Sequence, residues 1–176
     1  MVRIAPITPD SFPVLAPALR DILIECVGLG ASIGFLAPLS LEAADAFWTG
    51  CIRGVAAGER LMWGAWLGEE LVGTVQIVIG MPANQQHRID LVKLMTKPSA
   101  RGGGIGAALT LAAEAEAIRL GRGLVVLDTV AGNPAQRLYE RLGYEAAGVI
   151  PGYARSSAGP LEPTCIMFKR LAPSEA

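Results

Sequence analysis

Three consecutive glycines in the second half of the chain constrain its fold more than any other feature. They lie in Arg101–Gly106, after a β-type stretch (Ile89–Thr96) and before an alanine-rich segment with helical periodicity (Ile105–Leu120). The start of a helix presents unpaired N–H groups and the positive end of the helix dipole at one point. Because glycines lack a Cβ, a pyrophosphate can approach this backbone closely, and Arg101 adds a fixed charge. The segment therefore predicts an anion-binding loop.

The stretch that follows completes a crossover unit. Gly121 and Gly123 close the alanine-rich helix, and Leu124–Leu127 is a short apolar strand. Strand, glycine loop, helix and strand form a βαβ crossover, so the two strands run parallel. The other predicted elements are a strand at Arg3–Ile7, a helix capped by Thr8 and Asp10 and ended after Cys26, a helix from Ser40 to near Gly58, a hairpin of Leu61–Leu67 and Leu71–Met81, a loop at Pro82–Gln86, a helix capped by Asn133 that begins at Pro134 and stops at Gly143, and strands at Val149–Ile150 and Cys165–Phe168.

Composition excludes several classes of protein. With 52% hydrophobic and 18% charged residues among 176, the chain is not intrinsically disordered, and its even composition predicts one α/β domain over residues 1–176. A formal charge of -1 gives no field that favours nucleic acid or an anionic membrane, so neither is an expected partner. The longest uncharged stretch, Cys26–Leu41, is too short to cross a bilayer. Three scattered cysteines and one histidine predict reduced thiols in a cytoplasmic protein, without a metal site.

Two motifs in order carry a family resemblance. The pattern Arg101-x-x-Gly104-x-Gly106 before a long helix resembles the acetyl-CoA pyrophosphate loop of the GNAT superfamily of N-acetyltransferases. The segment Asn133–Tyr144, which ends in a Tyr-x-x-x-Gly-aromatic run, is similar to a second hallmark of that superfamily. The likeness covers about Leu61 to Phe168. Three further segments resemble the small-molecule branch that contains the tabtoxin-resistance acetyltransferases: Lys93–Met95, Leu127–Thr129 and Ile150–Ala154.

The resemblance implies a fold and an activity. It implies an α/β fold with a mixed, mostly antiparallel twisted sheet of six to seven strands, a central parallel pair and about four flanking helices. It also implies direct transfer of an acetyl group from acetyl-CoA, the cosubstrate, to the amine of a small molecule, with no covalent enzyme intermediate. Many relatives place a basic residue at the position of Gly103, so this loop would rely more on backbone donors and Arg101.

The resemblance also implies a set of cofactor-binding residues. Leu94–Thr96 would offer backbone groups to pantetheine, in a gap between the two parallel strands. Asn133 has an alternative role as a helix N-cap, and Arg137 has one on a solvated helix face. The implied set is Leu94, Met95, Thr96, Arg101, Gly102, Gly103, Gly104, Ile105, Gly106, Ala107, Asn133, Arg137 and Tyr139.

Acetyl transfer to an amine sets requirements for proton transfer. An amine with a pKa near 10 is almost fully protonated at neutral pH, so a proton acceptor is useful. Asp128 is the leading candidate, because ligands of open α/β sheets gather beyond the carboxyl ends of parallel strands. Asp90 is the second, since many GNAT members carry an acidic base there, and His87 is the third. A water relay is the alternative to a dedicated base. The family resemblance assigns Tyr139 as the acid that meets the coenzyme A sulfur.

The acceptor pocket and the core are less sharply specified. Ser32, with nearby loop residues, and the Gly- and Pro-rich segment Pro151–Glu162 are expected to be irregular walls of the acceptor pocket. Trp48, Trp63 and Trp66 are expected in the core rather than in a binding box. A small amine is favoured over a macromolecule because the chain has no long basic or acidic run.

Three other functions compete with acetyl transfer. Gly102-x-Gly104-x-x-Ala107, with Asp128 at the end of the next strand, satisfies a dinucleotide-binding fingerprint of oxidoreductases. Gly30-x-Ser32-x-Gly34 matches a hydrolase nucleophile elbow, although a predicted helix precedes it where a strand is needed. A noncatalytic acyl-CoA-binding module would bind the cofactor with Tyr139 and both aspartates dispensable. The acceptor, the acyl chain and the oligomeric state, including a possible homodimer, stay open.

Overall fold

A seven-stranded mixed sheet forms the centre of the protein, in the spatial order β1-β2-β3-β4-β5-β7-β6. The computed structural model describes residues 1–171. Within that range β4 and β5 are the only parallel neighbours, and with four α-helices the architecture matches the predicted fold class. The elements are β1 (Val2–Pro6), α1 (Phe12–Gly28), α2 (Leu41–Ala56), β2 (Arg60–Leu67), β3 (Glu70–Val78), β4 (Arg88–Thr96), α3 (Ile105–Arg119), β5 (Leu124–Val130), α4 (Pro134–Arg141), β6 (Glu145–Arg155) and β7 (Leu161–Arg170), with 3-10 turns at Ala83–Gln85 and Pro98–Ala100.

Each face of the sheet packs against a pair of helices. One core joins α3 and Tyr139 of α4 to strand residues such as Ile89, Leu91 and Leu127, and the other joins α1 and α2 to Met62, Trp66 and Met95. The three tryptophans are buried, which confirms their predicted place in the core, and the three cysteines are buried free thiols. Among the helices formed by residues 1–171, none combines the length and apolarity that crossing a membrane requires.

The helix caps agree with the sequence at two positions and differ at one. Ser40 accepts a hydrogen bond from the Ala43 N–H (3.1 Å), and Asn133 accepts one from the Gln136 N–H (2.7 Å), as N-caps do. The predicted caps of the first helix are wrong, because α1 begins after Ser11. Thr8 bonds to Ser11 instead, with its N–H 2.9 Å from the Ser11 Oγ. Helix α1 has a proline in its first turn, where the missing N–H of proline costs no helical hydrogen bond.

The C-terminal third contains more strand than the sequence indicated. The prediction that Pro151–Glu162 is irregular is wrong, since Ala154 pairs with Glu162 and only residues 156–160 lie between β6 and β7. Pro151 is tolerated because β6 is an edge strand, where a missing N–H breaks no interior ladder. Strand β5 likewise extends beyond Leu127 to Val130, because β7 pairs with its whole length.

Smaller differences concern a strand end and a helix face. Strand β3 ends at Val78 rather than Met81, since the N–H groups of Ile79 and Gly80 both donate to the Glu59 carbonyl at 2.9 Å and turn the chain. The helical periodicity predicts that Ile105, Leu109, Ala112 and Ala113 face inward on α3. Ile105, Leu109 and Ala113 are buried as predicted, whereas Ala112 is only half-buried.

Candidate functional site

The parallel strands β4 and β5 separate soon after they begin to pair. Their register covers only Arg88–Asp90 against Leu124–Val126, yet β4 continues to Thr96 and β5 to Val130. Beyond Asp90 the two strands no longer bond to each other. This separation leaves a gap in the middle of the sheet, where the family resemblance implied one.

A β-bulge in β4 lies beside this gap. Thr74 of β3 pairs with Met95 and Gln76 pairs with Val92, so β4 carries one extra residue in that interval. Lys93 has φ 56 and is the only non-glycine residue of positive φ within residues 1–171. A bulge increases local twist and bends its strand, which accounts for the divergence of β4 from β5.

The glycine loop is open at the start of α3. Gly102 and Gly104 have φ 84 and 77, and a Cβ at either would meet no atom within 4 Å. The first helical hydrogen bond of α3 runs from the Ala108 N–H to the Gly104 carbonyl (3.0 Å). The N–H groups of residues 105–107 therefore have no helical acceptor. An uncovered surface with several converging donors fits a pyrophosphate.

The remaining predicted donors around the loop are partly engaged within the protein. Arg101 is exposed, and its Nε lies 3.4 Å from the Thr96 carbonyl oxygen. The same carbonyl accepts a bond from the Cys26 thiol at 3.6 Å. Met95 is buried against the α1–α2 side, and Leu94 is half-buried. Of the three β4 residues expected to contact pantetheine, Thr96 thus has its carbonyl already bonded.

Tyr139 is held near the glycine loop by close packing of α3 and α4. A Cβ on Gly106 would lie 3.0 Å from the Leu138 Cδ2, so this glycine lets the two helices approach. Tyr139 is 5% exposed, and its ring packs edge-on against Tyr144 with 5.4 Å between centroids. Burial, and then the charge of Asp128, raise the pKa of Tyr139 far above its ordinary value. The phenol therefore carries its proton at neutral pH.

Two carboxylates share a small cavity where the strands diverge. Asp90 forms an ion pair with Arg88, whereas Asp128 is exposed and makes no ion pair within residues 1–171. Asp128 lies inside β5, opposite Ile166, rather than at the strand end predicted from the sequence. The cavity measures about 180 Å³ and is lined by Asp90, Leu91, Val92, Val126, Leu127, Asp128, Tyr153 and Ile166.

Tyr153 is a cavity residue that the sequence did not single out. Its only signals were its places in Ile150–Ala154 and in Pro151–Glu162, because nothing in the sequence places β6 beside the gap. A larger cavity, of about 390 Å³, lies between α2 and the β2–β3 strands and is lined by residues including Arg53 and Arg60. It contains none of the predicted site residues.

Other candidates lie apart from the gap or have internal partners. The carbonyl of His87 accepts from the Gly123 N–H (2.9 Å) at the opposite end of β4. The Asn133 amide donates to the Thr129 hydroxyl (3.1 Å) in addition to capping α4. Arg137 is exposed and donates to the Gly132 carbonyl (2.9 Å). The structure thus brings both aspartates to the cavity at the gap and packs the helix of Tyr139 against the glycine loop, whereas His87 lies at the other end of β4.

The fold also bears on the competing functions. Ser32 lies in the α1–α2 loop, so a helix rather than a strand precedes it and a nucleophile elbow is not formed. A dinucleotide-binding half needs neighbouring parallel strands, and within residues 1–171 the sheet has one parallel pair.

Residues 25–144 match the family model described as the Acetyltransferase (GNAT) family. The match covers about two thirds of the chain and contains both motifs, so the protein belongs to the GNAT acetyltransferase family. Members of this family use acetyl-CoA as the acetyl donor.

Solved structures share the whole fold at low sequence identity. An N-acetyltransferase from Staphylococcus aureus Mu50 is 16% identical with a TM-score of 0.79, over 98% of this chain and 99% of that chain. The ribosomal-protein-alanine N-acetyltransferase of Brucella melitensis is 23% identical with a TM-score of 0.77, over 97% and 99%. The yncA protein of Salmonella typhimurium, solved with its cofactor acetyl-CoA, is 17% identical with a TM-score of 0.78, over 99% of both chains. At these identities the likeness establishes the fold and leaves the acceptor open.

Proposed function

We propose that the protein is an N-acetyltransferase that moves an acetyl group from acetyl-CoA directly to the amine of a small molecule. The observation that carries the proposal is the open glycine loop at the start of α3, next to the gap between β4 and β5. In this proposal residues 1–176 work as one catalytic domain. The buried free thiols suit a reducing compartment such as the cytoplasm.

The donor would lie along the gap. Residues 102–107 and Arg101 would hold the pyrophosphate through backbone N–H groups and a guanidinium, and the backbone of residues 94–96 would contact the pantetheine arm. Asn133 and Arg137 are secondary contacts, because both have internal hydrogen bonds that binding would have to share. Acetyl-CoA supplies a thioester whose carbonyl carbon accepts the amine.

Two side chains would handle the protons. Asp128 would accept a proton from the acceptor amine, because its carboxylate lines the cavity and forms no ion pair among residues 1–171. Tyr139 would donate a proton to the coenzyme A sulfur as the C–S bond breaks, because burial keeps its phenol protonated. Asp90 would serve mainly to hold negative charge near the amine, since Arg88 already pairs with it. A cavity of about 180 Å³ suits a small acceptor.

Calorimetric titration with acetyl-CoA and, separately, NAD tests the donor. We expect binding of acetyl-CoA and none of NAD at the same concentration. A panel of small amines is then incubated with acetyl-CoA, and free thiol and acetylated product are measured. Preferential binding of NAD would contradict the proposal, and binding of acetyl-CoA without turnover of any amine would favour a noncatalytic module.

Replacing Asp128 by asparagine is expected to lower kcat/KM about 100-fold, within the range that a positioned general base contributes. Asp128→Asn keeps the size of the side chain and removes its ability to take a proton. Asp90→Asn is the matched comparison and should cost less, since its carboxylate is already paired. Steady-state kinetics of both variants decides between them. A larger loss in Asp90→Asn would transfer the role of the base to Asp90, and unchanged rates in both would indicate a water relay.

We also propose that two copies associate through the outer strand β6. Ten of its eleven residues are exposed, and Val149 and Ile150 remain 54% and 45% accessible, next to Leu161 of β7 at 61%. An exposed apolar edge of this length is a common site of association. We expect a dimer by size-exclusion chromatography with light scattering, and a monomer for Ile150→Lys. Val14→Lys, at an 83% exposed position on α1, is the matched control and should leave the mass unchanged.

A further inference from the structure

Lys93 is a charged side chain at the candidate site that proton transfer does not use. Its Nζ donates a 2.6 Å hydrogen bond to the carbonyl of Ile33 in the α1–α2 loop. The same atom lies 5.9 Å from the ring centroid of Phe35 and 5.8 Å from that of Phe47. The side chain is half-buried, and within residues 1–171 Ile33 supplies the one hydrogen-bond acceptor for its ammonium, so two of the three N–H donors are left over.

The other lysines of the chain show what Lys93 lacks. Lys97 pairs with Glu70 at 2.7 Å, and Lys169 pairs with Glu114 at 2.6 Å. Within residues 1–171, Lys93 has no carboxylate in ion-pair range. Burial lowers the pKa of Lys93, and the charge of Asp128 opposes this effect only in part. A half-buried cation without a counter-ion is costly unless a ligand provides one.

The backbone at Lys93 is also in an unfavourable conformation. A φ of 56 at a lysine costs free energy that glycine would avoid, and no other non-glycine residue of 1–171 adopts it. The bulge that contains Lys93 follows Val92, a residue of the cavity that holds both aspartates. Strain of this kind persists where a side chain has to be aimed at a particular place.

Lys93 and the two aspartates lie on the same face of the sheet. Along β4 and β5, Asp90 and Asp128 alternate with residues that pack against α3, so the two carboxylates project to the opposite face of the sheet. Lys93 reaches the α1–α2 loop from that same face. Lys93 and the two carboxylates on this face complement a molecule that carries both charges. We propose that Lys93 binds a carboxylate of the acceptor, whose amine lies toward Asp128, so that the acceptor is an amino acid. This inference rests on the proposed acetyl transfer.

The preference for a carboxylate is measured with matched pairs of acceptors. The proteinogenic α-amino acids and their C-terminal amides are assayed with saturating acetyl-CoA, and kcat/KM is obtained from thiol release. We expect the acids to be preferred about 10- to 100-fold, which is the effect of a charge-assisted hydrogen bond. Lys93→Met should abolish the preference while turnover of the amides persists, and Lys93→Arg should keep part of it. Lys97→Met, which removes a lysine already paired with Glu70, should retain it in full.

Amidation also changes the pKa of the acceptor amine, and this alone can alter kcat/KM. The ratio of kcat/KM for the acid to kcat/KM for the amide is therefore compared between Lys93→Met and the unmodified enzyme. An equal ratio in both proteins would overturn the inference while leaving acetyl transfer intact. Turnover of neutral amines with no turnover of any acid would overturn it in the same way. Absence of acetyl-CoA binding would instead overturn the proposed function, and the inference with it. If Lys93→Met does not fold, as judged by thermal unfolding, the ratios of the unmodified enzyme and of Lys93→Arg decide.

Discussion

Replacing Tyr139 by phenylalanine is expected to lower kcat about 100-fold while the Kd for acetyl-CoA stays within about twofold of its original value. The ring of Tyr139 fills the core beside Tyr144, and phenylalanine preserves that packing. Only the hydroxyl that would protonate the departing thiolate is lost. Burst kinetics and calorimetric titration separate chemistry from binding. Because burial raises the pKa of this phenol, the rate should not decline at moderately alkaline pH through ionisation of Tyr139.

Tyr144→Phe is the matched control for this experiment. Tyr144 is also buried and is the other member of the aromatic pair. The substitution removes an equivalent hydroxyl that has no role in the proposed chemistry. Its kcat should therefore stay near that of the unmodified enzyme. Unchanged turnover in Tyr139→Phe would make the assignment of the acid wrong. If turnover also survived the loss of both aspartates, the proton-transfer scheme as a whole would fail.

Replacing Gly104 by valine is expected to weaken acetyl-CoA binding at least about tenfold, equivalent to roughly 1.4 kcal/mol. Gly104 has φ 77 at the start of α3, a conformation that a β-branched residue adopts only with strain of about 1–3 kcal/mol. To relieve the strain the loop must move, and the N–H groups of residues 105–107 would no longer converge. The valine side chain would also project into the open surface that a pyrophosphate needs. Calorimetry gives the change in Kd directly.

Gly121→Val separates the loss of the site from the loss of stability. Gly121 has φ 70, has no atom within 4 Å of a Cβ, and lies just after the other end of α3. Both substitutions should lower the midpoint of thermal unfolding by a similar amount. Only Gly104→Val should raise the Kd for acetyl-CoA. Equal affinities in the two variants would mean that the donor binds elsewhere.

Local sequence signals predicted the parts of the fold that depend on neighbouring residues. The glycines before α3 and the caps Ser40 and Asn133 act within one turn of chain, so a single sequence reveals them. The sequence underestimated β6 because Gly148, Pro151 and Gly152 are typical of loops, and only its partner β7 makes that segment a strand. Tertiary pairing in this case outweighs local propensity.

The candidate site could be predicted from the sequence only where its groups lie close together along the chain. The glycine loop and Tyr139 belong to motifs of a few residues, but their proximity depends on the contact of Gly106 with Leu138 across two helices. The bulge at Lys93 has no sequence signal, because the residue with positive φ is not a glycine. The cavity shared by Asp90, Asp128 and Tyr153 combines three strands whose order in the sheet differs from their order in the chain.

The short pairing of β4 with β5 has a mechanical consequence. Within residues 1–171 only three residue pairs of β4 and β5 are in register, so the sheet is joined most narrowly between its β1–β4 half and its β5–β7 half. Lys93 and Asp90 belong to one half, whereas Asp128 and Tyr139 follow the junction along the chain. In the proposed scheme acetyl-CoA and the acceptor lie between these groups and would bridge the two halves of the sheet.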